Sequence, residues 1–580
     1  MNPAEPNAEA HSAPPAPASD PTRPSGFFHS SASSAAMAVY VPATLAIRLI
    51  NFGRVIMLTW FMTTQQFGLL NILLLVINVL TPMCSIGLNE AVTRYVPQFE
   101  SRGRLNRFLI RALALLVAVA AGSTLLLLLL APRVGMRFFG SIVYDESILQ
   151  FVRPQMGRLA QISAGVIGLL ILYFFLLAVL KGLRMIRAVA LAELLHSLLF
   201  LGLSLAACLT DHASAKTMTA CYGLSLALTL VVCGSALFLA LRNWTGQSMP
   251  LTEGDVHHRL LAFSIWAMIS GVTWQVLQYY PAWYLNRVMG NDAVAVFAAV
   301  RQIGQFVLLG AVTLVTVVMT AVTKTWETRG VEAADRQLSL AFRAAGVGML
   351  LGCSVLALSR HAIIRLFNPS YAPGADVLPL QLLFFLIGGN FAFIALHFSL
   401  IEKPRLHFLP YAVGVAANVL LGFWLLSPRL ADMQATTAWR AVAPIVSSLV
   451  TADLTDSLGL RSASWSGVLA IMAALLACLV LLRSEGRRLD RGSYIVLLAA
   501  LLLAANDVIL VIGVTALAAV CFGTELVFSA SERRELRAYV FAAWRSLLRP
   551  KVASVADAAS VQAGPPSVSA PTPGGRDVRS

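Results

Sequence analysis

Two arginines interrupt an otherwise apolar stretch near the start of the chain. In AMAVYVPATLAIRLINFGRVIMLTWFM (36–62), Arg48 and Arg54 lie six residues apart with Asn51 between them, and no acidic residue shares the stretch. A cation at the centre of a bilayer costs about 2.5–3.5 kcal/mol on insertion scales, so such residues face a bundle interior or a water-filled cavity. Thr44, Arg48, Asn51 and Val55 fall on one helical stripe, with Arg54 close beside it. A polar stripe of this kind offers capture of an anion. The competing reading has the arginines reaching for headgroups or pairing with a carboxylate of another span, such as Glu193. Two cations six residues apart cannot both lie near one interface, which favours the cavity.

The same pattern returns later. Gln275 and Gln278 sit one turn apart in a stretch that also holds Trp274, Tyr279, Tyr280, Trp283 and Tyr284. The aromatic residues read as an interfacial belt or a sugar-stacking platform, whereas the glutamines point to a polar lumen. The next stretch brings Arg301, Gln302 and Gln305, with Arg301 and Gln305 on one face. The expected substrate-binding set is therefore Arg48, Asn51, Arg54, Gln275, Gln278, Arg301 and Gln305.

Acidic residues within the apolar stretches are few. Glu193 pairs by spacing with His196, and Glu525 falls in the last stretch; Glu193 reads as an ion-coupling group or as the partner of a buried arginine. Glu90 and Arg94 are an i, i+4 pair placed to act as a gate or surface anchor. The adjacent histidines of TEGDVHH (252–258) lack metal-site spacing. Seven scattered cysteines show neither metal nor disulfide spacing and read as small core residues. No nucleophile motif or phosphate-binding glycine loop is visible, so no catalytic residue, metal or cofactor is expected.

Composition says what must hold these residues. Hydrophobic residues make up 58% and charged residues 12%, against about 45–50% and about 25% in soluble domains. The formal charge of +15 could suggest nucleic acid, but the excess lies mostly in short loops between apolar runs, so no nucleic-acid partner is expected. At about 20 apolar residues per crossing, spans fall near 36–62, 66–88, 106–131, 158–181, 186–210, 217–241, 260–285, 293–322, 338–364, 376–400, 406–427 and 465–482. A further run, 493–530, is too long to cross once and reads as a hairpin turning at Asn506-Asp507, which makes fourteen spans. With the N-terminus inside, inner loops hold 27 Lys and Arg and outer loops 11, so both termini read as cytoplasmic.

The expected organisation is a disordered tail at 1–34 and an N-lobe at 35–241. A cytoplasmic linker at 242–259 and a C-lobe at 260–483 follow, then two further spans within 484–530. A basic amphipathic helix at 531–551 would lie on an anionic leaflet, before a disordered tail at 552–580. The N-terminal tail, with acidic residues and prolines, does not read as a cleaved signal peptide. The stretch 428–464 reads as an interfacial helix, an external loop or the start of span twelve. A shift of 230 residues superposes Ala91-Val92-Thr93-Arg94 on Ala321-Val322-Thr323-Lys324 and Phe67 on Phe297, a faint repeat that fits six spans duplicated in parallel.

In order along about 40–530, TTQQFGLLNI (63–72), GLNEAVTRYVPQFESRGRL (87–105), KGLRMIRAVALAELLHSLL (181–199), YYPAWYLNRVMGNDAVAVFAAVRQIGQF (279–306), RLFNPSYAPGADVLPLQLL (365–383) and EKPRLHFLPYAVGVAANVLL (402–421) resemble the polysaccharide transporter branch of the multidrug/oligosaccharidyl-lipid/polysaccharide (MOP) exporter superfamily. The resemblance implies an all-α polytopic membrane protein with two six-helix lobes around a V-shaped central cavity and two additional helices. It implies a flippase for polyprenyl-diphosphate-linked oligosaccharide in the cytoplasmic membrane, with the pyrophosphate head group, membrane lipids and polysaccharide polymerase or export proteins as partners. It places Arg48, Arg54 and Arg301 in cavity-facing spans. A cation-coupled drug exporter of the same fold, or a membrane glycan polymerase or ligase, are the alternatives.

Overall fold

The computed structural model describes residues 33–101, 105–138, 146–242, 253–400, 406, 408–425 and 458–538. The described residues fold into helices: α1 (Ser33–Phe61), α2 (Thr64–Cys84), α3 (Leu88–Ser101), α4 (Leu105–Phe138), α5 (Glu146–Gly182), α6 (Ile186–Leu209) and α7 (Ala215–Arg242). The second half holds α8 (Glu253–Met289), α9 (Asn291–Arg329), α10 (Val331–Leu358), the short α11 (Arg360–Ile364), α12 (Gly374–Leu400), α13 (Phe408–Leu425), α14 (Leu458–Ser484), α15 (Arg491–Ala499) and α16 (Asp507–Gly523). Fourteen of these, all but α3 and α11, stand where the fourteen spans are expected. Among the described residues ten are long and apolar enough to cross a membrane, from α1, α2, α4 to α7, α9, α10, α12 and α14. The tails at 1–32 and 552–580, most of the linker, 426–457 and the distal part of the 531–551 stretch lie outside the described residues.

Two bundles of six carry the design. In the first, α1 packs on α6, α4 on α5, and α7 on both α5 and α6. In the second, α12 packs on α9, α10 and α14, and α13 on α8 and α14. Helix α2 joins them by lying along α8 and α9. Contact at its N-terminal end is close: a Cβ on Gly68 would stand 2.0 Å from the Asn291 carbonyl oxygen, so only glycine lets the two backbones meet. Thr64 hydrogen-bonds Asp292 beside it, and Trp60 Nε1 donates to the Leu366 carbonyl at 3.0 Å.

Several expectations need correction. Residues 88–101, read as loop, form α3, because Leu88, Val92, Val96 and Phe99 recur at helical spacing and are buried. The turn before it uses Ile86 and Gly87 at φ 50° and 67°. Gly87 presses on α8 so closely that a Cβ would lie 2.2 Å from the Ser264 carbonyl oxygen. Arg94 makes no ion pair with Glu90 among the described residues; its guanidinium sits 4.8 Å from the centre of the Phe263 ring. In the second copy of the repeat the corresponding stretch is unbroken, since α9 runs on as one helix. Of the three readings of 428–464, residues 458–464 follow the start of span twelve: they form the first turns of α14, where Arg461 pairs with Asp376 at 3.2 Å.

The hairpin turns at Ala505-Asn506, one residue early. Asn506 Oδ1 accepts from the Ile509 amide at 2.9 Å and starts α16, while Asp507 accepts from Arg360, with Nη2 to Oδ2 at 2.8 Å. Its two arms, the apolar helical stretches 491–504 and 507–523, are shorter than a full crossing. Glu525 lies beyond the end of α16, not inside a span.

The chain to Leu517 forms one compact unit and the remainder a second. In the second, Ser529 and Glu532 exchange backbone-to-side-chain bonds of 2.8 and 3.3 Å, a capping box that starts the helical residues 530–538.

Candidate functional site

The polar residues of six long helices converge. Arg48, Asn51 and Arg54 of α1, Asn71 and Asn78 of α2, His196 and Ser197 of α6, Tyr222 of α7, Tyr279 of α8, and Arg301, Gln302 and Gln305 of α9 line one cavity of about 280 Å³. The spacing 48, 51, 54 keeps three polar side chains on one face of α1. No Asp or Glu lines the cavity among the described residues.

Each arginine is held differently. The Arg54 guanidinium stacks over the Phe200 ring, 3.9 Å from its centre. Arg301 is 4% exposed and donates Nη2 to the Gln278 side-chain oxygen at 2.7 Å and Nη1 to the Gln278 carbonyl. It also stands 4.3 Å from the Tyr279 ring centre. Arg48 has no ion pair or hydrogen bond among the described residues, and the predicted alternative of a locked contact with Glu193 does not form. In all three the Nε atom is buried without a hydrogen-bond partner. A buried donor without an acceptor costs about 1–3 kcal/mol, more on a charged group.

Two adjacent carbonyls of α8 take side-chain donors. Pro281 has no amide hydrogen, so the carbonyl of Leu277, one turn earlier, loses its helical partner. Asn418 of α13 donates Nδ2 to that carbonyl at 2.9 Å. The neighbouring Gln278 carbonyl accepts from Arg301.

Of the residues expected at the site, Arg48, Asn51, Arg54, Arg301 and Gln305 share the cavity wall. Gln278 lies behind the wall as the seat of Arg301. Gln275 is not part of the lining. Sequence reasoning passed over Asn71 and Asn78, whose two-turn spacing in an apolar helix carried the same signal as the glutamines. Asn71 donates to the Phe67 carbonyl at 2.8 Å, which leaves its side-chain oxygen free as an acceptor. The Tyr222, His196 and Phe200 rings cluster within 5.1–6.3 Å, and no residue pattern in α6 or α7 signals that they meet the arginines. Among the described residues no group of His, Cys, Asp and Glu could hold a metal.

Among solved structures, a MOP-superfamily transporter from Pyrococcus furiosus, described as having a binding pocket of reverse polarity, aligns at 14% identity with a TM-score of 0.55, covering 78% of this chain and 94% of its own. An inward-facing multidrug resistance MATE family transporter aligns at 14% identity and TM-score 0.59, over 76% of this chain and 94% of that one. An outward-facing counterpart gives 14% and 0.55, over 79% and 97%. At this identity the likeness establishes the fold. No curated protein matches by sequence. The profile of the family described as "Polysaccharide biosynthesis protein" matches residues 35–326, half of the chain. The chain belongs to that family, as a multi-pass membrane protein with the transporter fold of the MOP superfamily.

Proposed function

We propose that this protein moves a polyprenyl-diphosphate-linked oligosaccharide across the cytoplasmic membrane by alternating access, for polysaccharide biosynthesis. The observation that carries the reading is the set of three arginines around one cavity, each with a buried, unpartnered Nε. A diphosphate supplies the acceptor oxygens these groups lack, and guanidinium forks match phosphate geometry in pairs. The amides of Asn51, Asn71, Asn78, Gln302 and Gln305 can hydrogen-bond the remaining phosphate oxygens and sugar hydroxyls. The lipid tail stays in the bilayer while the head group passes between the lobes.

The basic inner loops support an orientation with both termini in the cytoplasm. The head group then enters from inside, and polymerase or export proteins outside would consume it. A cationic drug as cargo would call for carboxylates on the wall, where the structure has arginines.

The test is transport in proteoliposomes with a fluorescent polyprenyl-diphosphate sugar. Arg48→Gln, Arg54→Gln and Arg301→Gln each remove hydrogen bonds to a charged ligand worth about 1.5–3 kcal/mol, so each should lower transport about 10- to 100-fold. Full transport by all three inserted variants, or efflux of cationic dyes with no movement of the lipid, overturns the reading.

A further inference from the structure

A site that binds a diphosphate with three arginines has a release problem. A carrier must hold its cargo strongly enough to capture it and weakly enough to let it go. One carboxylate stands where it can answer this. Glu193 lies on α6 one turn from Ser197 and two from Phe200, on the face that lines the cavity. On α1, which packs along α6, Thr44 and Tyr40 continue the Arg48 face by one and two turns in the same direction. Glu193 lies within electrostatic reach of Arg48 and of Lys181 of α5. It makes no ion pair or hydrogen bond among the described residues, so the charge is near Arg48 without being locked to it.

We propose that Glu193 is the displaceable counter-ion of Arg48. With the cavity empty, Glu193 offsets the charge of Arg48. When a phosphate arrives, Arg48 turns to it and Glu193 remains within electrostatic reach of Lys181. On release, Glu193 competes for Arg48 and lowers the affinity of the site. The carboxylate thus acts through Arg48 as a positioning residue and does not touch the cargo. This inference rests on the anion reading of the cavity.

The experiment measures binding of inorganic pyrophosphate to the full-length protein in nanodiscs, together with transport of the lipid-linked sugar. A neighbouring unit charge at several ångströms in a partly solvated site changes affinity about tenfold. Glu193→Gln should therefore bind pyrophosphate about tenfold more tightly and transport more slowly, with Glu193→Asp near the parent in both. In the Arg48→Gln background the Glu193→Gln effect on affinity should vanish. Unchanged or weaker pyrophosphate binding by a folded Glu193→Gln protein overturns the counter-ion role while leaving the anion site intact. So does an unchanged affinity accompanied by loss of the pH dependence of transport, which would make Glu193 a proton carrier. Failure of the parent itself to bind pyrophosphate overturns the anion reading and this inference together.

Discussion

Arg301 shows how a buried cation can be kept ready for a ligand. Its two terminal nitrogens are committed to Gln278, and its Nε is unpaired. Lysine cannot reproduce this, because one ammonium cannot span a side-chain oxygen and a carbonyl with the fixed fork of a guanidinium. Arg301→Lys should therefore lower pyrophosphate affinity almost as far as Arg301→Gln, about tenfold or more, measured by calorimetry on protein of unchanged thermal stability. Gln278→Leu removes one of the two acceptors from a buried charge, at a cost of about 1.5–3 kcal/mol, and should lower the melting temperature in detergent as well as anion affinity. The arginines were legible in the sequence because a cation in an apolar stretch has few places to go. The amides were legible only as a class. Gln275, Gln278, Asn71 and Asn78 are alike in cost, and nothing in their spacing says which meets the cavity, which seats an arginine and which does neither. That depends on helix rotation, set by contacts far apart in the chain.

At the scale of the helix, two departures from regular backbone shape the packing of α8. One is Pro281, which frees the Leu277 carbonyl for Asn418 next to the Gln278 carbonyl that accepts from Arg301. Pro281→Ala restores an amide that competes with Asn418 for the Leu277 carbonyl. The variant should insert and fold, and its effect on the melting temperature should be smaller in the Asn418→Leu background, because the two donors share one carbonyl. Equal effects in both backgrounds would sever proline from asparagine. The other is the turn Ser85–Gly87, where the chain leaves α2, adopts positive φ twice and packs α3 against α5 and α8. Gly87→Ala adds a Cβ 2.2 Å from the Ser264 carbonyl oxygen in a conformation that disfavours it. Its melting temperature should fall markedly, whereas Gly53→Ala, with open space around it, should melt as the parent does. The spans themselves could be read from length and apolarity. The α2–α3 break could not, because Ser85 and Gly87 between Cys84 and Leu88 are small residues of a kind that also occur inside the spans.

Across the molecule, the question is what drives the cargo. Among the described residues no carboxylate lines the cavity, and the charge on the proposed diphosphate cargo would itself supply a force. Moving one elementary charge through 100 mV is worth about 2.3 kcal/mol, so a head group with two negative charges leaving a negative interior gains about 4–5 kcal/mol. That is enough for a concentration ratio above a thousandfold. The balance holds only if the three arginines do not travel with the phosphate through the field. They are anchored on α1 and α9 in two different bundles, and Arg301 is seated on α8. A rocking motion that exposes the cavity first to one side and then to the other shifts these charges far less than the full membrane thickness. Transport in proteoliposomes should therefore speed up when a potassium gradient with valinomycin makes the donor side negative. It should slow when the potential is reversed and lose its directional bias when the potential is collapsed at constant pH. A rate indifferent to potential but steep in a proton or sodium gradient would mean that a counter-moving cation cancels the charge of the cargo, placing the driving force in an ion site outside the arginine cavity.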